Sequence, residues 1–147
     1  MRARKAGSAA LVLVVAGGLA ACAGSSRSQA SPPDKVEPIA GSSFKRVVLT
    51  PQAAQRIGIQ TAIVKRARAG THGSPETVIP YAAIIYDNTG RAFTYTQPLP
   101  LQYVRRPIAV DRITGSQAFL TSGPPPGTRV VAAGAEELYG AELGVTE

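Results

Sequence analysis

A single thiol, Cys22, and a single imidazole, His72, are the softest ligands available to this 147-residue chain apart from Met1. One cysteine makes no intrachain disulfide and no multi-cysteine zinc or iron–sulfur site. Copper or silver chemistry needs clustered Met, Cys or His, and the sequence holds no such cluster. His72 lies in the polar, glycine-containing stretch Lys65 to Glu76, where a solvated side chain is expected rather than a general base or a metal ligand. A nucleophile elbow, a paired Cys/His spacing and a phosphate-cradling loop with its lysine are all missing. Among the acids, Asp87 is accounted for by a turn and Asp111 by a strand end beside Arg112, while Glu136, Glu137 and Glu142 read as solvating a C-terminal segment. No convergent acid, base and nucleophile remain, so neither an enzyme nor a bound cofactor or metal is expected.

Charge offers binding rather than catalysis. Sixteen Lys and Arg against nine Asp and Glu give a formal +7. Arg2, Arg4 and Lys5 crowd the N-terminus, and without them the balance falls to +4. The densest run after that is Lys65-Arg66-Ala67-Arg68. Lys65, Arg66 and Arg68 would suit anionic lipid headgroups, where each cation contributes up to ~1 kcal/mol, or else simply solvate a strand end. Nucleic acid is not an expected partner, because basic residues are nowhere interleaved with stacking aromatics. Tyr81, Tyr86, Tyr95, Tyr103 and Tyr139 are expected to pack half-buried on sheets.

Behind the N-terminal cations, Ser8 to Ala21 runs from apolar to small residues in the order of an export signal. Its end, Leu19-Ala20-Ala21-Cys22, looks like the lipobox of bacterial lipoproteins. That resemblance implies removal of residues 1–21 and a mature chain whose first residue, Cys22, is linked to diacylglycerol. A retained transmembrane helix is disfavoured, since Gly17-Gly18 weaken it and only Leu11 to Val15 is strongly apolar. Two or three acyl chains, at ~0.8 kcal/mol per buried CH₂, anchor a protein stably to a bilayer. The expected location is the extracytoplasmic side of the cell envelope, with the lipid bilayer as first partner. Residues 22–43, rich in Ser, Ala, Gly and Pro, are expected to be a flexible linker.

The elements that must position any site therefore lie in 44–147. Phe44 to Leu49 is β-prone; Thr50, Pro51 and Gly58 then mark a short helix by N-cap, first-turn and C′ preferences. Ile59 to Val64 returns to strand character, and Lys65 to Glu76 reads as a basic connection. Asp87 to Arg91 suits a hairpin loop that sets Ile85 opposite Phe93 and Ala83 opposite Tyr95. Tyr103 to Arg112 and Gln117 to Thr121 flank a second turn at Thr114-Gly115-Ser116, Thr128 to Ala132 adds a strand, and Ala135 to Tyr139 suits a helical turn. The expected fold is mainly β, a small antiparallel barrel or sandwich with one short helix.

The order of these pieces resembles a known family. Val78 to Ile84, Gly90 to Tyr95, Val104 to Val110 and Ser122 to Ala135, in that order, resemble the C-terminal part of the periplasmic adaptor, or membrane fusion, proteins of efflux pumps. The stretch from Leu49-Thr50-Pro51 to Gly58-Ile59-Gln60-Thr61-Ala62 is similar to a segment near the start of heavy-metal-type adaptors. Full adaptors insert a lipoyl-like lobe and a helical hairpin where this chain has only Lys65 to Glu76. The resemblance is thus to the β-barrel and membrane-proximal parts, which in the family pack against an inner-membrane transporter. It implies a lipid-anchored, non-enzymatic accessory of an efflux transporter. The competing expectation is a stand-alone surface lipoprotein that binds a small hydrophobic or envelope ligand. Neither reading fixes an oligomeric state.

Overall fold

The computed structural model describes residues 34–68 and 75–144. The helix expected after Leu49 is α1, Pro51–Arg56. Thr50 is extended and its hydroxyl accepts a hydrogen bond from the Ala53 N–H at 3.1 Å. Pro51 opens the first turn, where its missing N–H costs no hydrogen bond. Gly58, at φ +68°, turns the chain out.

Among the described residues, eleven strands and a second helix are arranged around it: β1 (Asp34–Pro38), β2 (Lys45–Leu49), β3 (Gln60–Ile63), β4 (Lys65–Arg68), β5 (Pro75–Pro80), β6 (Ile85–Tyr86), β7 (Ala92–Leu99), β8 (Gln102–Pro107), β9 (Ala109–Thr114), β10 (Gln117–Ser122), β11 (Arg129–Ala133) and α2 (Ala135–Leu143). They form two antiparallel sheets. The larger has seven strands in the order β1-β2-β8-β7-β11-β3, with β6 also pairing with β7; the smaller runs β4-β5-β10-β9. The fold is therefore mainly β, as composition and turn spacing imply, and both sheets are open, with edges at β1 and β3 and at β4 and β9.

Strand alternation divides the apolar residues between two cores. Val47, Leu49, Tyr95, Tyr103 and Val131 face Ala53 of α1 and Ala135 and Leu138 of α2. Val64, Ile79, Ile108, Ala118, Leu120 and Val130 fill the space between the sheets. The molecule is layered accordingly: helices, large sheet, small sheet.

Several expectations change. Asp34–Pro38, inside the expected linker, is strand β1, registered Val36↔Val47 and Glu37↔Arg46 on β2. Its order comes from backbone pairing rather than apolar bulk, which composition alone does not register. Likewise Lys65–Arg68 is not connection but strand β4, paired to β5. The run Tyr103 to Arg112 splits at Ile108, whose N–H donates to Ala92 O at 3.1 Å, so that β8 and β9 join different sheets. Finally, the helical turn expected at Ala135 to Tyr139 extends to Leu143 as α2, so the described residues hold two α-helices rather than one. The hairpin is half as expected: Asp87 N–H donates to Arg91 O at 3.0 Å and Ile85 opposes Phe93. Ala83, by contrast, sits in a 3-10 turn, Tyr81–Ala83, and packs between the sheets rather than opposite Tyr95.

Candidate functional site

Lys65, Arg66 and Arg68 stand on the edge strand β4, all three exposed, and none has a carboxylate within ion-pairing distance among the described residues. Alternation along the strand puts Lys65 on one face and Arg66 and Arg68 on the other. The run is thus a charged sheet edge, which resists edge-to-edge pairing, and not one flat cationic face. Cys22 and His72 lie outside the described residues. Among the described residues no helix is long and apolar enough to cross a membrane, and no three His, Cys, Asp or Glu side chains cluster as metal ligands do.

The best-buried charged side chain among the described residues is one that the sequence does not announce. Glu142 is 4% exposed, whereas Glu136 and Glu137 on the same helix are exposed as expected. Tyr95 Oη donates to Glu142 Oε2 at 2.5 Å, and Arg105 Nη2 donates to Oε1 at 3.1 Å. Tyr95 and Arg105 face each other across β7 and β8, so the sheet presents both to α2. The Arg105 guanidinium lies 4.7 Å from the Phe93 ring centre and 5.0 Å from that of Tyr139. Burial, then the carboxylate beside it, push the Tyr95 phenol far above its usual range, so it remains a donor. The readable signal was helical spacing: Ala135, Leu138 and Glu142 fall on one buried face of α2.

A second polar knot lies on the outer face of the small sheet. Arg112 grips Glu76 with two hydrogen bonds of 2.7 and 2.6 Å, across the intervening β10, and its guanidinium lies 3.9 Å from the centre of the Phe119 ring. Arg112 also reaches Asp111 at 2.9 Å, as their adjacency implies, although Asp111 lies within β9 and not at the expected strand end. At the hairpin, the Thr89 hydroxyl donates to Asp87 Oδ1 at 2.6 Å and the Arg91 Nε to Oδ2 at 2.9 Å. The Thr89 hydroxyl first, then the Arg91 and Thr89 backbone N–H groups, hold the Asp87 carboxyl well below the usual carboxylate range. Each of these groups is engaged in holding the fold.

Besides a small cleft of about 170 Å³ next to Lys65 and Gln117, two larger surface clefts lie among the described residues. One, of about 640 Å³, lies beside Phe44, Arg91, Phe93 and Arg105. The other, of about 440 Å³, is walled by Pro98, Pro107, Pro124 and Pro125 with Arg106 and Thr128. It sits where the sheets meet: Pro107 precedes the crossing at Ile108, and Thr128 O accepts from the N–H of Val64, the residue at the crossing from β3 to β4, at 2.8 Å. The tyrosines divide, with Tyr95 and Tyr103 fully buried and Tyr81 and Tyr86 exposed. Compared with protein-family descriptions, curated proteins and solved structures, the chain matches none.

Proposed function

We propose that the chain is a lipid-anchored envelope protein whose β-domain serves as a non-enzymatic, adaptor-like accessory of a membrane efflux transporter. The observation that carries this reading is the ordered set of segments from Leu49 to Ala135 that resembles the membrane-proximal part of efflux adaptors, following an export signal that closes on Cys22. Acyl chains on Cys22 place the domain at the membrane face. The Lys65, Arg66 and Arg68 edge is exposed and without carboxylate partners among the described residues, which suits an anionic headgroup layer or an acidic transporter surface nearby.

The test is capture of the tagged full chain from gently solubilised membranes of its own host. Recovery of a transporter in comparable amount, together with slower efflux when the gene is deleted, is the expected result. A preparation free of any transporter, with efflux unchanged by the deletion, overturns the reading.

A further inference from the structure

The cleft at the sheet junction has the make-up of a ligand site, and it does so independently of any transporter. Its volume of about 440 Å³ falls within the range of roughly 300–1,000 Å³ usual for small-molecule pockets. Four of its walls are proline rings, Pro98, Pro107, Pro124 and Pro125, whose fixed φ leaves little to order on binding. The loop that carries two of them is tied down by three backbone hydrogen bonds: Gly127 N–H to Val64 O at 2.9 Å, Val64 N–H to Thr128 O at 2.8 Å and Thr128 N–H to Pro125 O at 3.1 Å. Gly123 lets that loop lie on the core, since a Cβ there would stand 2.7 Å from Leu120 Cδ1 and 3.3 Å from Ile108 Cγ2.

Charge selects the ligand. Arg106 lines the cleft and has neither an ion pair nor a side-chain hydrogen bond among the described residues. No Asp or Glu is part of the lining. The larger cleft, whose lining also holds no Asp or Glu, differs in its arginines: Arg91 is held by Asp87 at 2.8 Å and Arg105 by Glu142 at 3.1 Å. Its rings Phe44 and Phe93 already stack with Arg105. An apolar, rigid-walled slot with one unspent planar fork of donors matches a carboxylate on an apolar body.

We propose that this cleft binds a small organic carboxylate, with Arg106 holding the carboxylate and the proline walls holding the apolar part. The full chain in non-ionic detergent is titrated calorimetrically with sodium 2-naphthoate and with neutral 2-naphthamide, and amide NMR shifts are followed in parallel. Expected are saturable naphthoate binding, weaker naphthamide binding, and shifts centred on Arg106, Gly123, Gly127 and Thr128. Arg106→Gln should weaken naphthoate about tenfold or more, with Arg106→Lys retaining part of the affinity. Uptake no greater than that of empty micelles, equal affinity for acid and amide, or shifts confined to Phe44, Arg91 and Phe93 would each overturn the proposal. So would an Arg106→Gln protein that binds as tightly as the parent. If Arg106→Gln melts lower than the parent, the acid-to-amide comparison on the unmodified protein still decides.

Discussion

Glu142 divides its two oxygens between Tyr95 and Arg105 at a depth where water has little access. A buried charge is tolerable only when matched, so removing one partner costs far more than the pair contributes net. Glu142→Gln leaves Arg105 facing Phe93 and Tyr139 without a counter-charge, and urea unfolding should show a loss of about 3 kcal/mol. Tyr95→Phe removes one charged hydrogen bond and should cost about 2 kcal/mol. The double variant should lose less than the sum of the two, because both changes act on one network. Asp87 makes stability depend on pH. Its carboxyl titrates lower in the folded chain than in the unfolded one, so its contribution is fully present above the unfolded value of about 4 and fades as pH falls from there through the folded value. Thermal melts from pH 6 downward should fall more gently in Asp87→Asn than in the parent, with the difference confined to the acid range.

At the scale of elements, Gly134 is the hinge between β11 and α2. It sits at φ +79°, and a Cβ there would meet Ile59 Cδ1 at 2.8 Å and the Ile57 carbonyl oxygen at 3.1 Å. Gly144 ends the same helix at φ +75° with nothing within 4 Å of such a Cβ. Both alanine variants bear the left-handed backbone penalty of about 1 kcal/mol, but only Gly134→Ala must also displace neighbours. Denaturation midpoints should therefore order parent, Gly144→Ala, Gly134→Ala. The contrast also shows what was legible in the sequence. Thr50, Pro51 and Gly58 announce α1, and Asp87 to Arg91 announces its hairpin, because capping and turn chemistry act over a few residues. β1 and β4 are not legible because each is a short, largely polar strand held by backbone pairing to the next strand, which residue type does not register. The split at Ile108 followed from two sheets competing for one apolar run, and Glu142 from a helix whose buried face becomes visible only at its full length. Of the candidate site, the exposed Lys65, Arg66 and Arg68 were plain from charge density, whereas Arg106 gains its significance from walls contributed by β7, β8 and the loop before β11.

The whole molecule is tied together by strands that belong to both cores. Val130 points between the sheets while Val131 points at the helices, and the chain passes from sheet to sheet at Val64 and again at Ile108. Neither core can be lost alone without stripping the other of one face of β11. Ile79→Ala, in the inter-sheet core, and Leu138→Ala, beneath α2, should each cost about 3 kcal/mol. Each should shift one common urea transition without changing its slope; two separated transitions would refute this coupling. The early start of the fold then bears on attachment. Strand β1 begins at Asp34, twelve positions after Cys22, and at about 3.5 Å per residue fully extended that distance is at most about 40 Å. Under the proposed function, the β-domain is held within a fixed reach of the bilayer, and this reach sets which surface of a transporter it meets. Cys22→Ser should move the protein from membrane to soluble fractions and abolish its effect on efflux. Inserting a long Gly/Ser segment between Cys22 and Asp34 should leave membrane attachment intact, since the acyl anchor is untouched, yet weaken efflux. Undiminished efflux with the lengthened tether would show that the anchor supplies attachment alone and that distance from the membrane plays no part.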